Sequence, residues 1–351
     1  MLQRPDRKTT QHTTNAAPDS GETKLLEAVT KKKLHLFSGR HNYELAEEVA
    51  EYLNVDITEA HPSQFANGET HVRFAESIRG SDVFIIQSHG SVEDRSLNDA
   101  VMEHLIMVDA ARRASAKRIT AVMPCYGYAR QDRKSEGREP ITARLMADLF
   151  EAAGASRLVS VDLHSGQIQG FFNGPVDHLT AMPVLVNRLE QYGEDLVVVS
   201  PDAGRVKVAE RYSQKLAADL AIVHKRRLKG KKNEVEAKDI VGEVEGRRCV
   251  LIDDMIDTAG TICSAAELLM ERGAASVVAA ATHGVFSGPA IDRLKNSVLD
   301  NVIVTNTLPL PPEKRFDKLE VLSVAPLLAD AIRAVFEDTS VSQIFGGQNQ
   351  Q

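Results

Sequence analysis

The chain has 351 residues, 43% of them hydrophobic and 26% charged, and 42 Lys and Arg stand against 49 Asp and Glu for a formal net charge of -7. At about 150 residues per domain this length predicts two domains, and it is enough to bury a real core. The acidic balance excludes a general nucleic-acid footprint, and no apolar run approaches the ~18 residues of a membrane span. The N-terminus has no apolar core of a secretory signal. Cys125, Cys249 and Cys263 are odd in number and lack metal-ligand spacing, which predicts buried thiols in a reducing, cytoplasmic setting.

Met1 to about Lys32 is rich in Thr, Gln, Asn, Lys and Pro, so a disordered or partly helical extension is expected. Order should begin with a strand at Leu34–Phe37, then a helix at Asn42–Leu53. Asn67-Gly68 is a hairpin signal within Gln64–Thr70. Val83–Gln87 reads as a strand and Leu97–Ala114 as a long helix. Arg118–Cys125 reads as a strand feeding the charged loop Tyr126–Arg138, and Pro140 precedes the next helix. Further strands are expected at Leu158–Asp162, Asp195–Ser200, Leu220–His224, Cys249–Ile252 and Ser276–His283. Strands alternating with helices predict parallel sheets with helices on both faces. Arg130, His164, Asp202, Lys225 and Asp253 all follow such strands. Ligands in open α/β sheets sit beyond the carboxyl ends of the strands, so these residues should face one site or two facing sites. The two halves share a strand–loop–helix rhythm that hints at a duplicated domain.

The most informative stretch is Cys249–Cys263, C-V-L-I-D-D-M-I-D-T-A-G-T-I-C. Cys249–Ile252 is apolar and β-branched, as in a buried strand. Asp253 to Thr261 holds three acids, two threonines and a glycine. From Ile262 the residues read as an amphipathic helix closed by Gly273. A strand, a polar turn and a helix N-terminus make an anion cradle, to which Thr258 and Thr261 can add hydroxyls. Asp253 and Asp254 would repel a phosphate beside them. A ligand with phosphate at one end and hydroxyls at the other, a sugar phosphate, resolves the conflict. The competing reading is that an Asp-Asp pair merely caps a helix in a solvated turn.

Other motifs are ambiguous one at a time. Tyr128–Lys134 (Y-A-R-Q-D-R-K) is either a solvated charged loop or a mobile clamp in which Arg130 holds a triphosphate. His164, just after a strand, is more simply a structural hydrogen-bonding residue than a ligand. His224–Arg227 (H-K-R-R) is either a surface run or a source of positive charge for phosphoryl transfer.

In this order, six motifs carry a resemblance. They are Phe65–Glu69 (F-A-N-G-E), Tyr128–Lys134 with Arg138–Ala143 (R-E-P-I-T-A), Val161–Phe172, Pro201–Gly204, His224–Arg227, and the Cys249–Cys263 stretch. The chain resembles the ribose-phosphate diphosphokinases, or PRPP synthetases, of the phosphate-activated type, from about Lys33 to Phe345. The resemblance implies an α/β fold of two phosphoribosyltransferase-like domains, each a mainly parallel sheet flanked by helices. It divides the chain into an N-terminal extension (1–32), an ATP-side domain (33–177) with a lid at 128–138, a ribose 5-phosphate-side domain (178–322) with the PRPP motif at 250–262, a segment (323–345) rejoining the first domain, and a tail (346–351). It implies transfer of the β,γ-diphosphoryl group of MgATP to the C1 hydroxyl of ribose 5-phosphate, giving PRPP and AMP. Asp257, Thr258, Ala259, Gly260 and Thr261 would hold the 5-phosphate, and Asp253 and Asp254 the ribose hydroxyls, directly or through a metal. Phe65, Asn67 and Glu69 would contact adenine from a neighbouring subunit, Arg130 and Gln131 would contact ATP, and Lys225 and Arg227 would stabilise the transferring group. His164 and Asp202 would help hold Mg²⁺. Ser77, Arg79, Arg138, Ser340 and Ser342 match a regulatory site for phosphate and ADP in a homohexamer, a trimer of dimers, with no nucleic-acid or membrane partner. Arg205 departs from the pattern, since many relatives have a second glycine there. A phosphoribosyltransferase would share the Cys249–Cys263 stretch but not need the ATP-side motifs. A non-catalytic regulatory paralogue would carry lid insertions or lost site residues, and neither is evident.

Overall fold

The computed structural model describes residues 32–226 and 237–345. The expectations for residues 1–31, for Arg227 and for the tail 346–351 fall outside them. Two sheets organise the described chain. The first takes the order β1 (Leu34–Ser38), β4 (Asp82–Ile86), β5 (Arg118–Met123), β6 (Arg157–Val161) and β7 (Val176–Leu179), with every neighbouring pair parallel. A division at 177/178 falls inside β7. The second sheet takes the order β10 (Ala237–Val241), β9 (Asp219–Arg226), β8 (Leu196–Ser200), β11 (Arg248–Ile256), β12 (Ser276–Gly284), β13 (Asn301–Thr305) and β14 (Leu319–Leu322). All its pairs are parallel except β9–β10 at the edge. Central strands such as β4 and β8 are buried along their whole length. That is why they read as continuous apolar runs without alternation.

Helices cover the sheet faces. In the first half these are α1 (Tyr43–Leu53), α2 (Leu97–Arg113) and α3 (Thr142–Ala153). In the second half they are α4 (Met182–Leu189), α5 (Val206–Leu216), α6 (Gly260–Glu271), α7 (Ala290–Lys295) and α8 (Ala325–Phe336). The start of α2 is fixed by a capping box between Ser96 and Asp99. Gly154 in the left-handed region ends α3. The small hairpin of β2 (Ser63–Gln64) and β3 (Thr70–His71) turns at Gly68, whose φ of +92° is the conformation that Asn-Gly signalled.

One apolar cluster joins the two sheets. It includes Leu36, Phe84 and Val122 from the first, Val198, Val250 and Ile303 from the second, and Leu328 and Ile332 of α8. Polar links stitch the strand ends together. Ser88 Oγ donates to Thr307 O (2.7 Å), Asn42 Nδ2 to Asn306 O (2.9 Å), and Thr282 Oγ1 to Asp162 Oδ2 (2.7 Å). The carboxyl ends of β1, β4 and β6 are thereby held against those of β12 and β13. Cys125, Cys249 and Cys263 are free and buried, and burial pushes the Cys249 thiol up to about 11.

Candidate active site

The centre of the site is the strand–turn–helix of Cys249–Cys263, with two corrections to the expected boundaries. β11 runs on to Ile256, so Asp253 and Asp254 lie on the strand and not in the turn. Parallel pairing with β12 continues past them, with Asp253 opposite Ala281 and Met255 opposite His283. And α6 begins at Gly260, two residues before Ile262, which leaves only residues 257–259 as the turn. The N-terminal boundary residue of α6 is Ala259, held at φ 61° and buried. No side chain caps this helix. The Asp pair is therefore not a helix cap. The first-turn N–H groups and the positive end of the helix dipole remain for an anion. Arg293 Nη1 donates to Thr258 O (2.9 Å) and fixes the turn from outside.

A cavity of about 210 Å³ opens above this turn. Asp253, Asp254, Asp257, Thr258, Ala259, Gly260 and Thr261 all line it, together with His164, Asp202 and Arg130. His164 follows β6, Asp202 follows β8 and Arg130 follows β5, so the cavity is assembled from both sheets. Asp202 Oδ1 accepts from Gly204 N (2.8 Å), which turns the chain into α5.

Arg205, in the sequence only a departure from a pattern, places its side chain at the carboxylate pair. Its Nη2 lies 2.6 Å from Asp254 Oδ1 and 2.7 Å from His164 Nδ1, and its Nε lies 3.1 Å from Asp253 Oδ1. His164 Nδ1 also meets Asp254 Oδ2 at 2.7 Å. The two carboxylates separate in proton affinity. Burial, then the neighbouring Asp254, raises Asp253 to about 8. Burial pushes Asp254 the same way, but the His164 hydrogen bond and Arg205 outweigh it and hold it at about 2.

Among the described residues, no group of three or more His, Cys, Asp and Glu side chains is arranged to hold a metal ion. What the site offers is carboxylate oxygen, including Asp254 Oδ1, which is buried and has no directed hydrogen-bond donor despite the nearby guanidinium. These donors fit a hard divalent cation that keeps its waters and arrives on substrate phosphates, not a closed protein cage. His164 suits contact with such a water better than direct ligation.

The lid rises beside this cavity. Tyr128 and Arg138, at its two ends, both have positive φ (62° and 72°), a strained geometry for non-glycine residues. Arg130 Nη1 donates to Asp257 Oδ2 (2.7 Å) and ties the lid to the cradle. Thr142 Oγ1 donates to Gln131 Oε1 (2.5 Å), and Gln167 Nε2 to Asp132 Oδ2 (2.6 Å). Arg130, Met255 and Asp257 separate the 210 Å³ cavity from a larger one of about 370 Å³, which Gln131, His89 and Lys314 also line. Phe65, Asn67 and Glu69 sit on the β2–β3 hairpin and line neither cavity. Phe65 is 56% exposed and touches only the edge of the His71 ring among aromatic neighbours. Ser77, Arg79, Arg138, Ser340 and Ser342 are exposed and line neither cavity, and the hydroxyls of Ser340 and Ser342 are 2.7 Å apart. Lys225 is described as backbone, paired with Lys238 at the end of β9. Its side chain and all of Arg227 lie outside the described residues.

The fold and this site define a class: α/β enzymes with a helix N-terminus open to an anion at a strand–turn–helix junction, beside a carboxylate pair and a cationic loop. Residues 34–154 match the family model of the N-terminal domain of ribose phosphate pyrophosphokinase, and residues 229–346 match that of the phosphoribosyl synthetase-associated domain. The ribose-phosphate pyrophosphokinase of Streptomyces avermitilis is 56% identical over 320 residues, 91% of this chain and 98% of that protein. That of Bifidobacterium longum is 55% identical over 326 residues, 92% of this chain and 95% of that protein. The crystal structure of phosphoribosylpyrophosphate synthetase from Mycobacterium smegmatis aligns with a TM-score of 0.82 at 54% identity, covering 88% of this chain and 100% of that one. The chain belongs to the ribose-phosphate pyrophosphokinase family, diphosphotransferases that make PRPP and AMP from ATP and ribose 5-phosphate. Among the described residues, no helix is long and apolar enough to cross a membrane.

Proposed function

We propose that this chain moves the β,γ-diphosphoryl group of MgATP to the C1 hydroxyl of ribose 5-phosphate with the following division of labour. Residues Asp257 to Thr261 hold the 5-phosphate on the uncapped N-terminus of α6. Asp253 and Asp254 face the ribose hydroxyls and orient C1 toward the β-phosphorus. The observation that carries this reading is the single 210 Å³ cavity shared by all seven of these residues with His164, Asp202 and Arg130. Mg²⁺, when bound, would neutralise phosphate charge; His164 and Asp202 are the residues that would help hold it with its waters, and Asp253 and Asp254 would reach the ribose hydroxyls directly or through it. Arg130 and Gln131 contact ATP, for which Arg130 exchanges Asp257 for phosphate oxygens. Lys225 and Arg227 complete the positive clamp. Transfer to a sugar hydroxyl competes with transfer to water, so the lid from Tyr128 to Arg138 closes over the phosphates. Adenine is received by Phe65, Asn67 and Glu69 of a neighbouring subunit. The exposed, apolar Phe65 at a hairpin tip supports that arrangement.

We further propose a cytoplasmic homohexamer, a trimer of dimers, activated by phosphate and inhibited by ADP through Ser77, Arg79, Arg138, Ser340 and Ser342. An assay for AMP from ATP plus ribose 5-phosphate tests the reaction, and no AMP would sink it. Lys225→Ala should lower kcat by about 100-fold or more with near-normal ATP binding. Unchanged turnover would remove Lys225 from its role. Phosphate activation should be present in the wild-type protein and lost in Arg79→Ala.

A further inference from the structure

Arg205 stands between two spaces. His164, Arg205, Asp253 and Asp254 line the 210 Å³ cavity and also a chamber of about 130 Å³, which Asp162, Arg211, Tyr212 and Thr282 complete. The side chain of Arg205 is only 16% exposed, and it is the cation in contact with both carboxylates. Two adjacent buried carboxylates repel one another strongly unless a cation stands beside them. The fit of this cation is by charge more than by direction. Asp254 Oδ1 has Nη2 at 2.6 Å and yet accepts no directed hydrogen bond, although a guanidinium can meet a carboxylate with two parallel ones. The chamber behind Arg205 is lined by another carboxylate, Asp162, whose charge favours a displaced cation there although its Oδ2 already accepts from Thr282 Oγ1 and Ala181 N.

We propose that Arg205 is the resident counter-cation of the substrate-free site: it occupies the side of Asp253 and Asp254 that a divalent cation takes in the loaded site, and it yields that place toward the chamber when cation and sugar phosphate bind. This rests on the reading of Asp253 and Asp254 as the carboxylates of the ribose subsite. Free divalent ions then bind the empty protein weakly. They enter only with substrate, whose phosphates replace the charge balance that Arg205 provided. Arg205 is thus a positioning residue, acting through the two carboxylates.

The test is a titration of the nucleotide-free protein with Mn²⁺, reading free Mn²⁺ by electron paramagnetic resonance. Arg205→Gly should bind Mn²⁺ at least about tenfold more tightly than the wild type, because a positive charge within a few ångströms of the site is gone. Arg205→Gln, which keeps much of the length and a hydrogen-bonding end but not the charge, should show the same gain and keeps the test open if the glycine variant does not fold. Arg205→Lys, which keeps the charge, should stay close to the wild type. Melting temperature gives a second readout. The neutral variants should melt lower than the wild type without divalent ions and recover with Mn²⁺, whereas the wild type should shift little. Equal or weaker Mn²⁺ binding by both neutral variants overturns the proposal. No nucleotide is present, so this outcome is separate from a failure to form AMP.

Discussion

The two ends of the 210 Å³ cavity follow opposite rules. At the outer end, residues 258–261 offer an uncapped helix N-terminus and the exposed hydroxyls of Thr258 and Thr261, while Asp257 beside them is tied to Arg130. At the inner end the carboxyl groups already have partners, Asp254 in His164 and Arg205, and Asp253 in Arg205. The backbone donors of the outer end stand open to an anion without any helix cap to displace, and only the Arg130–Asp257 contact has to exchange there. The inner end must exchange internal partners for ligand. In the proposed division of labour its residues would act on the reacting end of the sugar, while the outer residues would supply binding that is uniform through the reaction.

The largest expected effect breaks the inner end. Asp253→Ala should lower kcat/KM for ribose 5-phosphate by about 1000-fold while the KM for ATP changes by no more than about threefold, since a site built around a buried polar partner loses most when that partner is removed. Steady-state kinetics with each substrate varied in turn would check it, and a larger change on the ATP side refutes the assignment. Next is the bridge between lid and cradle. Arg130→Ala removes the contact to Asp257 at 2.7 Å and the cation nearest both cavities. It should lower kcat/KM for ATP by about 100-fold, the cost of removing one preorganised donor, and leave ribose 5-phosphate binding nearly unchanged.

Acid should also weaken the scaffold under the Tyr128–Arg138 loop. Gly127 N, at the foot of the lid, donates to His89 Nδ1 (3.1 Å), and His89 Nε2 faces His104 Nδ1 at 3.1 Å. Burial lowers His104 to about 3 and His89 well below its usual value, the latter helped by the other histidine. A histidine whose folded-state value is depressed binds fewer protons folded than unfolded. Its stabilising effect is whole above about 6.5 and is lost as pH falls from there toward 3. From pH 6.5 to 5 this costs about 2 kcal/mol for His104, and His89 acts in the same direction. Urea unfolding at pH 7 and pH 5 would measure it. His104→Leu should reduce the pH dependence, and an unaltered slope would show that this pair is not its source.

Much of this architecture was legible. The apolar strands and the Asn-Gly hairpin declared themselves through local chemistry, and the sugar-phosphate turn did so through a conflict between donors and carboxylates. Strands β7, β10, β13 and β14 were not anticipated. They lie at or near sheet edges, where β7 and β14 are only half-buried and the apolar signal is diluted. The end of β11 was misplaced because two acids inside a strand look like a turn, and only the neighbouring β12 shows why the strand continues. Arg205 was legible as an oddity but not as a site residue, because its partner His164 lies 41 positions away on the other sheet's loop. Side-chain reach across sheets is a tertiary property, and no spacing rule reports it.

The smallest expected effect is also the sharpest check on the contrast between the two ends. Thr261 lies in the first turn of α6, exposed, and its hydroxyl is one of several donors that a bound phosphate can use. Thr261→Val keeps the β-branched shape and leaves the backbone N–H groups in place. One neutral hydroxyl contact among several is worth about 1 kcal/mol, so the KM for ribose 5-phosphate should rise about fivefold with kcat nearly constant. Helix stability should barely change, because this threonine is exposed and does not cap the helix. A loss in kcat equal to that of Asp253→Ala would mean that the outer end changes its hold on the sugar during the reaction. The distinction between a preformed phosphate cradle and an inner end that exchanges partners would then fail.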